Sequence, residues 1–197
     1  INLGGGVITD MGGFVASTYK RGIDFINIPT TLLSQIDASV GGKVGVDLDG
    51  LKNMVGVFNE PKAVFIYPDF LKTLDKRQMM SGYAEAFKHA LIADADYWSK
   101  LKKGMLSDAA FWSKLITQSV EIKNNIVLND PKEKGERKLL NFGHTVGHAV
   151  ETHYLSGDDL PLLHGEAIAI GMICEAFISY KINGLNEAEL NDITATF

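Results

Sequence analysis

The hydrophobic and polar positions change their pattern once along the chain, close to Asp69. Before that point, short apolar runs of strand length, such as residues 25–29 and 63–67, alternate with glycine-rich turns. After it, apolar side chains recur every three or four residues, a spacing that is typical of helices. The pattern therefore predicts a partial α/β domain over residues 1–68, followed by an all-α domain over residues 69–197.

The chain begins with a short apolar run, residues 1–3, which we interpret as a strand that leads into a glycine-rich turn. A helix over residues 14–19 is predicted to follow. Such a turn can bind a phosphate, because its backbone N–H groups and the helix dipole face the anion. The spacing differs from the dinucleotide fingerprint, since Thr9 stands where a third glycine would be expected. A tight turn without a ligand is the alternative interpretation.

The second predicted strand, residues 25–29, ends at Thr30 and Thr31. Hydroxyl groups at the carboxyl end of a strand lie where open α/β sheets bind their ligands. Lys43 follows among glycines that hold its backbone in a turn, and Lys52 follows a further turn at residues 49–50. Loop lysines are usually solvated, so the residues alone leave both interpretations open for these two side chains.

Helical patterns fill the second half of the chain. They are predicted over residues 70–73, from 76 onward, over 81–93, 109–127, 137–151 and 164–181, and again after 183. Asp69, Asp75 and Asp108 stand where they can cap three of these helices. Residues 129–135 and 156–161 are predicted to be loops.

One polar stripe runs along the predicted helix over residues 137–151. Arg137, Asn141, His144 and His148 recur at spacings of four, three and four residues, which places them on one face of a helix. A stripe of guanidinium, amide and imidazole groups beside apolar neighbours suits neither a solvent face nor a core face. We therefore expect this helix to line a wet, charged cavity.

Histidines and a carboxylate suggest a metal site in the helical part. The candidate ligands are Glu85, His144 and His164, with His148 and His89 in reserve. Two histidines and one carboxylate with an open position describe a catalytic divalent site, typically for zinc. The spacing of His144 and His148 resembles the pair of zinc metalloproteases, but Thr145 replaces their catalytic glutamate. Spacing alone does not select the ligands, and histidines hydrogen-bonded to their neighbours are the alternative.

Composition and charge limit the classes of partner. The net charge of −5 argues against nucleic acid, and neither a signal peptide nor a membrane span is recognisable. A single cysteine, Cys174, excludes an internal disulfide and fits a reducing compartment, so we expect a cytoplasmic protein. The cationic set Lys43, Lys52, Lys88, Lys123 and Arg137 suits a small anionic substrate rich in oxygen.

Seven stretches of the chain resemble the 3-dehydroquinate synthase family of sugar-phosphate cyclases. They are GGGVITDMGGF (4–14), IPTTLLSQIDASVGGKVGVD (28–47), LKNMVGVF (51–58), DFLKTL (69–74), GYAEAFKHALI (82–92), RKLLNFGHTVGHAVE (137–151) and LHGEAIAIGM (163–172). The resemblance implies an NAD-binding α/β domain followed by a helical metal-binding domain, with the active site in the cleft between them.

The resemblance also implies a reaction. Members of the family are carbon–oxygen lyases of the shikimate pathway, which leads to chorismate and the aromatic amino acids. They convert 3-deoxy-D-arabino-heptulosonate 7-phosphate to 3-dehydroquinate and phosphate. NAD accepts a hydride and returns it, so there is no net redox change.

Residue by residue, the family implies three sets of ligands. Glu85, His144 and His164 would hold a divalent metal, zinc or cobalt. The NAD site would comprise Gly6, Val7, Ile8, Thr9, Asp10, Thr30, Thr31, Lys43, Lys52, Phe70, Leu71, Lys72 and Thr73. The sugar-phosphate substrate would meet Asp37, Lys43, Asn53, Lys88, Lys123, Glu133, Arg137, Asn141 and His148. Arg21 would reach the substrate phosphate in a neighbouring subunit, so we expect a homodimer.

Two parts of the family pattern are missing from the sequence. They are an amino-terminal part with an acidic residue for the adenosine ribose and a carboxyl-terminal segment with a further substrate lysine. We therefore expect a fragment of a longer protein that binds NAD weakly by itself. The alternatives are a cyclase for another sugar phosphate such as sedoheptulose 7-phosphate, an NAD- and metal-dependent polyol dehydrogenase, and an inactive metal-binding fragment. Lys123, Arg137 and Asn141 favour the dehydroquinate pattern.

Overall fold

The computed structural model describes residues 1–49, 51–104, 109–155 and 161–197, without the side chains of residues 51, 52, 109 and 155. The strands are β1 (Asn2–Gly4), β2 (Ile26–Pro29), β3 (Lys43–Leu48), β4 (Leu51–Phe58) and β5 (Ala63–Val64). The predicted cap at Asp108 and most of the predicted loop over residues 156–161 lie outside the described residues.

Most of the described chain after Tyr67 is helical. The α-helices are α1 (Gly6–Thr18), α2 (Lys76–Ala93), α3 (Ala95–Leu101), α4 (Ala109–Asn129), α5 (His144–Leu155), α6 (His164–Ile182) and α7 (Glu187–Thr196). Short 3₁₀ segments cover Tyr19–Arg21, Pro68–Thr73 and Glu136–Asn141, and a π-helical turn covers Ser34–Ala38. The predicted fold class, an α/β part followed by an all-α part, is confirmed. None of the helices in the described part of the chain is long and apolar enough to cross a membrane.

A small parallel sheet forms the start of the chain, with the strand order β1-β2-β5. Asn2 lies opposite Asn27 in the β1–β2 pair, and the two side-chain amides share a hydrogen bond of 2.9 Å. The predicted strands over residues 1–3 and 25–29 are confirmed. The third is shorter than predicted, because only Ala63 and Val64 pair with β2.

The glycine-rich stretch after β1 is a helix, not the predicted turn. Helix α1 begins at Gly6 and includes Gly12 and Gly13. A Cβ atom on Gly12 would overlap the side chain of Asn2, and one on Gly13 would lie 2.5 Å from Val44 Cγ1. The glycines are therefore explained by close packing of α1 on the neighbouring strands, and the prediction that the helix begins at residue 14 was wrong.

An antiparallel strand pair that was not predicted follows Gly42. Strands β3 and β4 pair with Gly45 opposite Gly56, and a Cβ atom on Gly45 would lie 2.9 Å from Val55 O. Of the glycines around Lys43, Gly41 and Gly42 are turn residues with φ of +96° and +64°, as predicted, whereas Gly45 is a strand residue selected by close backbone contact. The sequence contained a hairpin signal, since an Asp-Gly pair at residues 49–50 separates two apolar runs.

Helix α2 is the central element of the helical part. Asp75 caps it by accepting from the Gln78 backbone, as predicted. Residues 81–90 are all buried, and the ring of Phe87 packs edge-on against that of Trp98 at 5.1 Å. Because α2 is buried on every side along this stretch, the polar residues that it carries are buried as well. Helices α4 and α6 match their predicted positions, whereas α3 was not predicted.

The predicted helix over residues 137–151 is broken in two. A 3₁₀ segment ends at Asn141, and α5 begins at His144. Between them Gly143 adopts a φ of +81°, in the left-handed region that favours glycine. The single stripe from Arg137 to His148 is therefore wrong as a helical face. Arg137 is buried, whereas Asn141 is exposed.

Candidate active site

Helix α2 places three ionisable side chains inside the helical part. Glu85, Lys88 and His89 are all fully or almost fully buried. Oε2 of Glu85 forms an ion pair with the Lys88 ammonium, one helical turn away. A buried charge is tolerated only when it is paired, so this pair fixes the orientation of the Glu85 carboxylate.

Two imidazoles converge on the other oxygen of Glu85. Nε2 of His144 lies 3.8 Å from Oε1, and Nε2 of His164 lies 3.7 Å from it. Oε1 accepts no hydrogen bond from any described group. In a tetrahedral zinc site with ordinary bond lengths, neighbouring ligand atoms lie about 3.3 Å apart. These three side chains therefore fit a divalent metal ion after a small contraction.

The opposite nitrogen of each imidazole is anchored. Nδ1 of His144 lies 3.2 Å from the Phe142 carbonyl oxygen, and Nδ1 of His164 lies 3.2 Å from Glu151 Oε2. Both partners are acceptors, so both Nδ1 atoms carry the proton. Each Nε2, the nitrogen near Glu85, is then left to bind a metal, as in metal-binding histidines whose other nitrogen is hydrogen-bonded. Glu151 was overlooked in the sequence, although it follows His144 by seven residues on the same helix face.

The charge states suit metal binding. Burial lowers the pKa of His144 to about 4, so its imidazole is neutral at pH 7. Burial acts to raise the pKa of Glu85, but the Lys88 ammonium outweighs it and the net direction is downward. The carboxylate is therefore ionised, and both groups are in the form that binds a cation.

His148 is an alternative ligand. Its ring centroid lies 5.1 Å from that of His144 and 5.7 Å from that of His164. One nitrogen of each of the three rings lies within 4.8 Å of the others. The structure thus brings all three histidines together, and the division of roles between metal and substrate stays a prediction.

Asp37 continues the buried charges beyond Lys88. Its Oδ1 lies 2.7 Å from Lys123 Nζ and 3.9 Å from Lys88 Nζ. Burial acts to raise the pKa of Asp37, but the charges of Lys123 and Lys88 hold it well below its usual range. Two ammonium groups and two carboxylates, those of Asp37 and Glu85, therefore balance each other. A bound divalent cation would make the site positive and attract an anion.

His89 lies beside the same carboxylate. Its Nε2 is 3.6 Å from Asp37 Oδ1, and burial lowers its pKa. Asp37, Glu85 and His89 each offer one ligand atom within 4.8 Å of the others. Asp37 is already neutralised by Lys123 and lies near Lys88, so this second group is a poorer site for a cation than the first.

A further set of predicted substrate residues lies at the junction of β3 and the 3₁₀ segment before α5. Glu133 accepts from both Lys43 and Asn141. It borders an open cleft of about 660 Å³ that also includes Asn141 and Phe142. Arg137 is buried and donates to the carbonyl oxygens of Gly41 (2.6 Å) and Pro131 (2.7 Å). Its guanidinium thus joins the start of the hairpin to the helical part.

Seven of the predicted cofactor residues, 6–10 with Thr30 and Thr31, lie near the carboxyl edge of the parallel sheet. Thr30 N donates to Gly4 O at 2.9 Å, and a Cβ atom on Gly5 would lie 3.1 Å from Thr31 Cγ2. Residues 6–10 form the first turns of α1, and Gly5 supplies no side chain to cap them. The first N–H groups of α1 therefore lie beside Thr30 and Thr31, in an arrangement suited to an anion.

The residues of the 3₁₀ segment Pro68–Thr73 have different surroundings from one another. The Leu71 side chain is buried in the helical core, so only its backbone could meet a cofactor. Lys72 is exposed and pairs with Asp69 at 2.8 Å. Phe70 packs edge-on against Tyr67 at 5.7 Å. The roles of Phe70, Leu71, Lys72 and Thr73 in NAD binding stay predictions.

For three other predicted residues, Lys52, Asn53 and Arg21, no described contact joins them to the metal, substrate or cofactor residues above. The side chain of Lys52 lies outside the described residues. Asn53 is exposed on β4, and its backbone N–H donates to Asp47 Oδ1 at 2.7 Å. Arg21 is exposed with a φ of +67°. Their roles stay predictions.

Sequence comparisons identify a family. Residues 1–81 match a family model described as 3-dehydroquinate synthase N-terminal, and residues 82–197 match one described as 3-dehydroquinate synthase C-terminal. The 3-dehydroquinate synthase of Parabacteroides distasonis is 49% identical over 196 residues, covering 98% of this chain and 55% of that protein. That of Sulfurovum sp. is 51% identical over 197 residues, covering 99% and 55%. The chain thus spans about half the length of the curated relatives it matches.

Solved structures share the same fold. A 2-epi-5-epi-valiolone synthase from Streptomyces hygroscopicus, with NAD⁺ and Zn²⁺ bound, matches with a TM-score of 0.91 and 33% identity, over 99% of this chain and 55% of that chain. A 2-deoxy-scyllo-inosose synthase complexed with carbaglucose-6-phosphate, NAD⁺ and Co²⁺ matches with a TM-score of 0.89 and 30% identity, over 99% and 53%.

Proposed function

Because the chain belongs to the 3-dehydroquinate synthase family, we propose that it carries the metal centre and part of the NAD site of an enzyme with this activity. The enzyme is a lyase that converts 3-deoxy-D-arabino-heptulosonate 7-phosphate to 3-dehydroquinate and phosphate. One observation supports the proposal most strongly. Glu85 meets two imidazoles whose opposite nitrogens are both anchored, next to lysines that can receive an anion.

The cofactors are NAD and a divalent metal, zinc or cobalt. Glu85, His144 and His164 would hold the metal, which supplies Lewis acidity to a substrate hydroxyl and to the ketone formed from it. The uncapped start of α1, with Thr30 and Thr31 beside it, would bind the NAD pyrophosphate. The solved relatives that hold NAD⁺ with Zn²⁺ or Co²⁺ support this assignment.

The cationic side chains would orient the substrate. Lys88 and Lys123 both lie beside Oδ1 of Asp37, so an anionic group of the substrate can share their charge. Asn141 and Glu133 would position hydroxyl groups at the cleft that they border, and Arg137 would hold this wall against the hairpin. His148 would meet the substrate beside the two metal-binding rings, and Asn53 and Lys43 would approach from the hairpin.

The proposed reaction needs only weak acid–base catalysis from the substrate-binding side chains. NAD held beside the start of α1 would supply the transient oxidation of a ring hydroxyl to a ketone. The adjacent carbon would then be acidic enough to lose a proton as phosphate leaves with its bonding electrons. The departing phosphate can take up the proton itself. Reduction of the ketone by the same cofactor would follow, and ring opening and an intramolecular aldol addition would then close the carbocycle without net redox change. His148 and Asn141 stabilise developing charge during these steps.

Phosphate release tests the proposal. We expect the longer protein that contains this chain, with NAD⁺ and Co²⁺, to release phosphate from 3-deoxy-D-arabino-heptulosonate 7-phosphate without accumulating NADH. Release from sedoheptulose 7-phosphate alone would assign it to another cyclase activity. NADH accumulation with glycerol, and no phosphate release, would indicate a polyol dehydrogenase. Identities of 49% and 51% to 3-dehydroquinate synthases, against 33% and 30% to the other cyclases, favour the first outcome.

We also propose a cytoplasmic homodimer. Arg21 would reach the substrate phosphate of the neighbouring subunit from an exposed position after α1. Mixing two inactive variants, Arg21→Ala and His144→Ala, tests the shared site. Recovery of part of the activity would support a site built from two subunits, because some mixed dimers contain one intact site. If no activity is recovered, Arg21 does not contribute to the active site of the neighbouring subunit.

A further inference from the structure

Helices α5 and α6 cross with their backbones in close contact. A Cβ atom on Gly171 would overlap the Gly143 carbonyl oxygen, and one on Gly147 would lie 2.8 Å from Ile168 Cδ1. His144 is the first residue of α5, and His164 is the first residue of α6. The crossing therefore helps to set the distance between the two backbone positions that carry these imidazoles.

Glu175, on α6, holds the start of α5 across this crossing. Its Oε2 accepts from Gly143 N at 2.8 Å, and its Oε1 accepts from Thr145 N at 3.1 Å and Val146 N at 3.3 Å. The first N–H groups of a helix have no acceptor within the helix, and α5 has no acidic residue in its own first turn. The Glu175 carboxylate, which belongs to α6, therefore acts as the acceptor that an N-cap side chain would otherwise provide.

These contacts enclose His144. The three N–H groups belong to the residue before it and the two residues after it, and the Phe142 carbonyl that anchors its Nδ1 directly precedes Gly143. Gly143 has a φ of +81°, which glycine adopts readily, and the hydrogen bond to Glu175 holds the turn in this conformation. We propose that Glu175 is a positioning residue for the metal centre, which sets the His144 imidazole relative to His164 and Glu85. This inference rests on the proposed metal site.

A purely structural role for Glu175 is the competing explanation. Asp94 provides the comparison, because its Oδ1 accepts from Tyr97 N at 2.8 Å and caps α3. Helix α3 carries none of the proposed ligands. Replacing either acidic residue with alanine removes a carboxylate from the start of a helix. Only the change at Glu175 should alter the metal site.

Metal affinity provides the test. The dissociation constants for Zn²⁺ and Co²⁺ are measured by competition with a chromophoric chelator for the unsubstituted chain, Glu175→Ala, Glu175→Gln and Asp94→Ala, with thermal unfolding recorded for each. We expect Glu175→Ala to bind about tenfold more weakly, the lower end of the effects seen when outer groups of metal sites are changed. Glu175→Gln keeps one acceptor oxygen and should fall between. Asp94→Ala should bind as the unsubstituted chain does. The visible spectrum of bound Co²⁺ should change in Glu175→Ala only.

The outcomes separate the two proposals. If the unsubstituted chain binds neither metal, the metal centre is wrong and this inference fails with it. If it binds and both Glu175 variants bind equally well, only the positioning role fails. Equal weakening in Glu175→Ala and Asp94→Ala also overturns it, because general loosening would then explain the result. If Glu175→Ala does not fold, Glu175→Gln decides by the same comparison.

Discussion

Two regions of the molecule differ in how completely their side chains are held by neighbouring groups. They are the metal pocket, formed by Glu85, His144 and His164, and the carboxyl edge of the parallel sheet. At the pocket, Glu85 and Lys88 are 0% and 1% exposed, and Glu85 and both of the candidate histidines that face it have defined partners. At the sheet edge, Val7 is 76% exposed and Ile8 41%. Packing between helices has organised the first region, whereas the second offers mainly backbone N–H groups. We therefore expect metal binding to be more sensitive to single substitutions than NAD binding.

Removing a ligand should have the largest effect. Either Glu85→Ala or His144→Ala should abolish stoichiometric Zn²⁺ binding, because two remaining ligands do not hold the ion against water. Metal content after dialysis measures this. His153→Ala, an exposed change on the same helix, is the matched control and should retain the metal. Full zinc content in either ligand variant would contradict the proposed site.

Lys88→Met sharpens the comparison through stability. The change leaves the Glu85 and Asp37 carboxylates short of a buried cation, and breaking a buried pair in this way costs about 3–5 kcal/mol. Urea unfolding gives the difference. Lys62→Met, in the α/β part, is the control, because its pair with Asp24 at 3.5 Å is exposed and such pairs contribute about 0–1 kcal/mol. A similar loss of unfolding free energy in the two variants would show that the buried pair contributes no more to stability than the exposed one.

Glu151→Gln should weaken metal binding without removing a ligand. The amide keeps the shape but not the charge that supports Nδ1 of His164, and changes of this kind reduce metal affinity about 10–100-fold. Chelator competition gives the value. Glu121→Gln, on the exposed face of α4, serves as the control. Unchanged affinity in Glu151→Gln would show that His164 does not depend on this partner.

The smallest effect concerns the core that supports the pocket. Burial raises the pKa of Tyr83 to about 12, and its hydroxyl donates to Leu101 O at 3.0 Å. Between pH 10 and pH 12 the unfolded chain loses this proton and the folded chain keeps it, so stability falls as the pH rises. Unfolding at a series of pH values should show a smaller fall in Tyr83→Phe. Tyr154→Phe, an exposed change, should behave as the unsubstituted chain does.

Local patterns predicted some features of this molecule and missed others for physical reasons. The cap at Asp75 follows from an acidic residue just before a helical pattern, and the shared face of His144 and His148 follows from helix periodicity. Both signals lie within a short stretch of sequence. The break at Gly143 depends on its contact with Gly171, a residue 28 positions away along the chain. The hairpin was missed because Gly45 was interpreted as a turn residue, although close strand pairing also selects glycine.

The site shows the same division. Periodicity and residue type indicated Glu85, His144, His148 and His164 as candidates, but spacing left the two helix histidines equivalent. Their assignment to different roles came from family resemblance. The groups that anchor the rings, Glu151 and the Phe142 carbonyl, become recognisable only when α5 and α6 are packed together. Glu175 likewise has no sequence signal, because its role depends on the crossing of the two helices.

The most direct test of the central claim is the position of the metal itself. A crystal structure of the zinc-loaded protein, with anomalous diffraction at the zinc edge, should place the ion about 2.0–2.2 Å from Oε1 of Glu85 and from Nε2 of His144 and His164. His148 should lie outside this coordination shell. An ion held by His144, His148 and His164, with Glu85 still paired only with Lys88, would contradict the account.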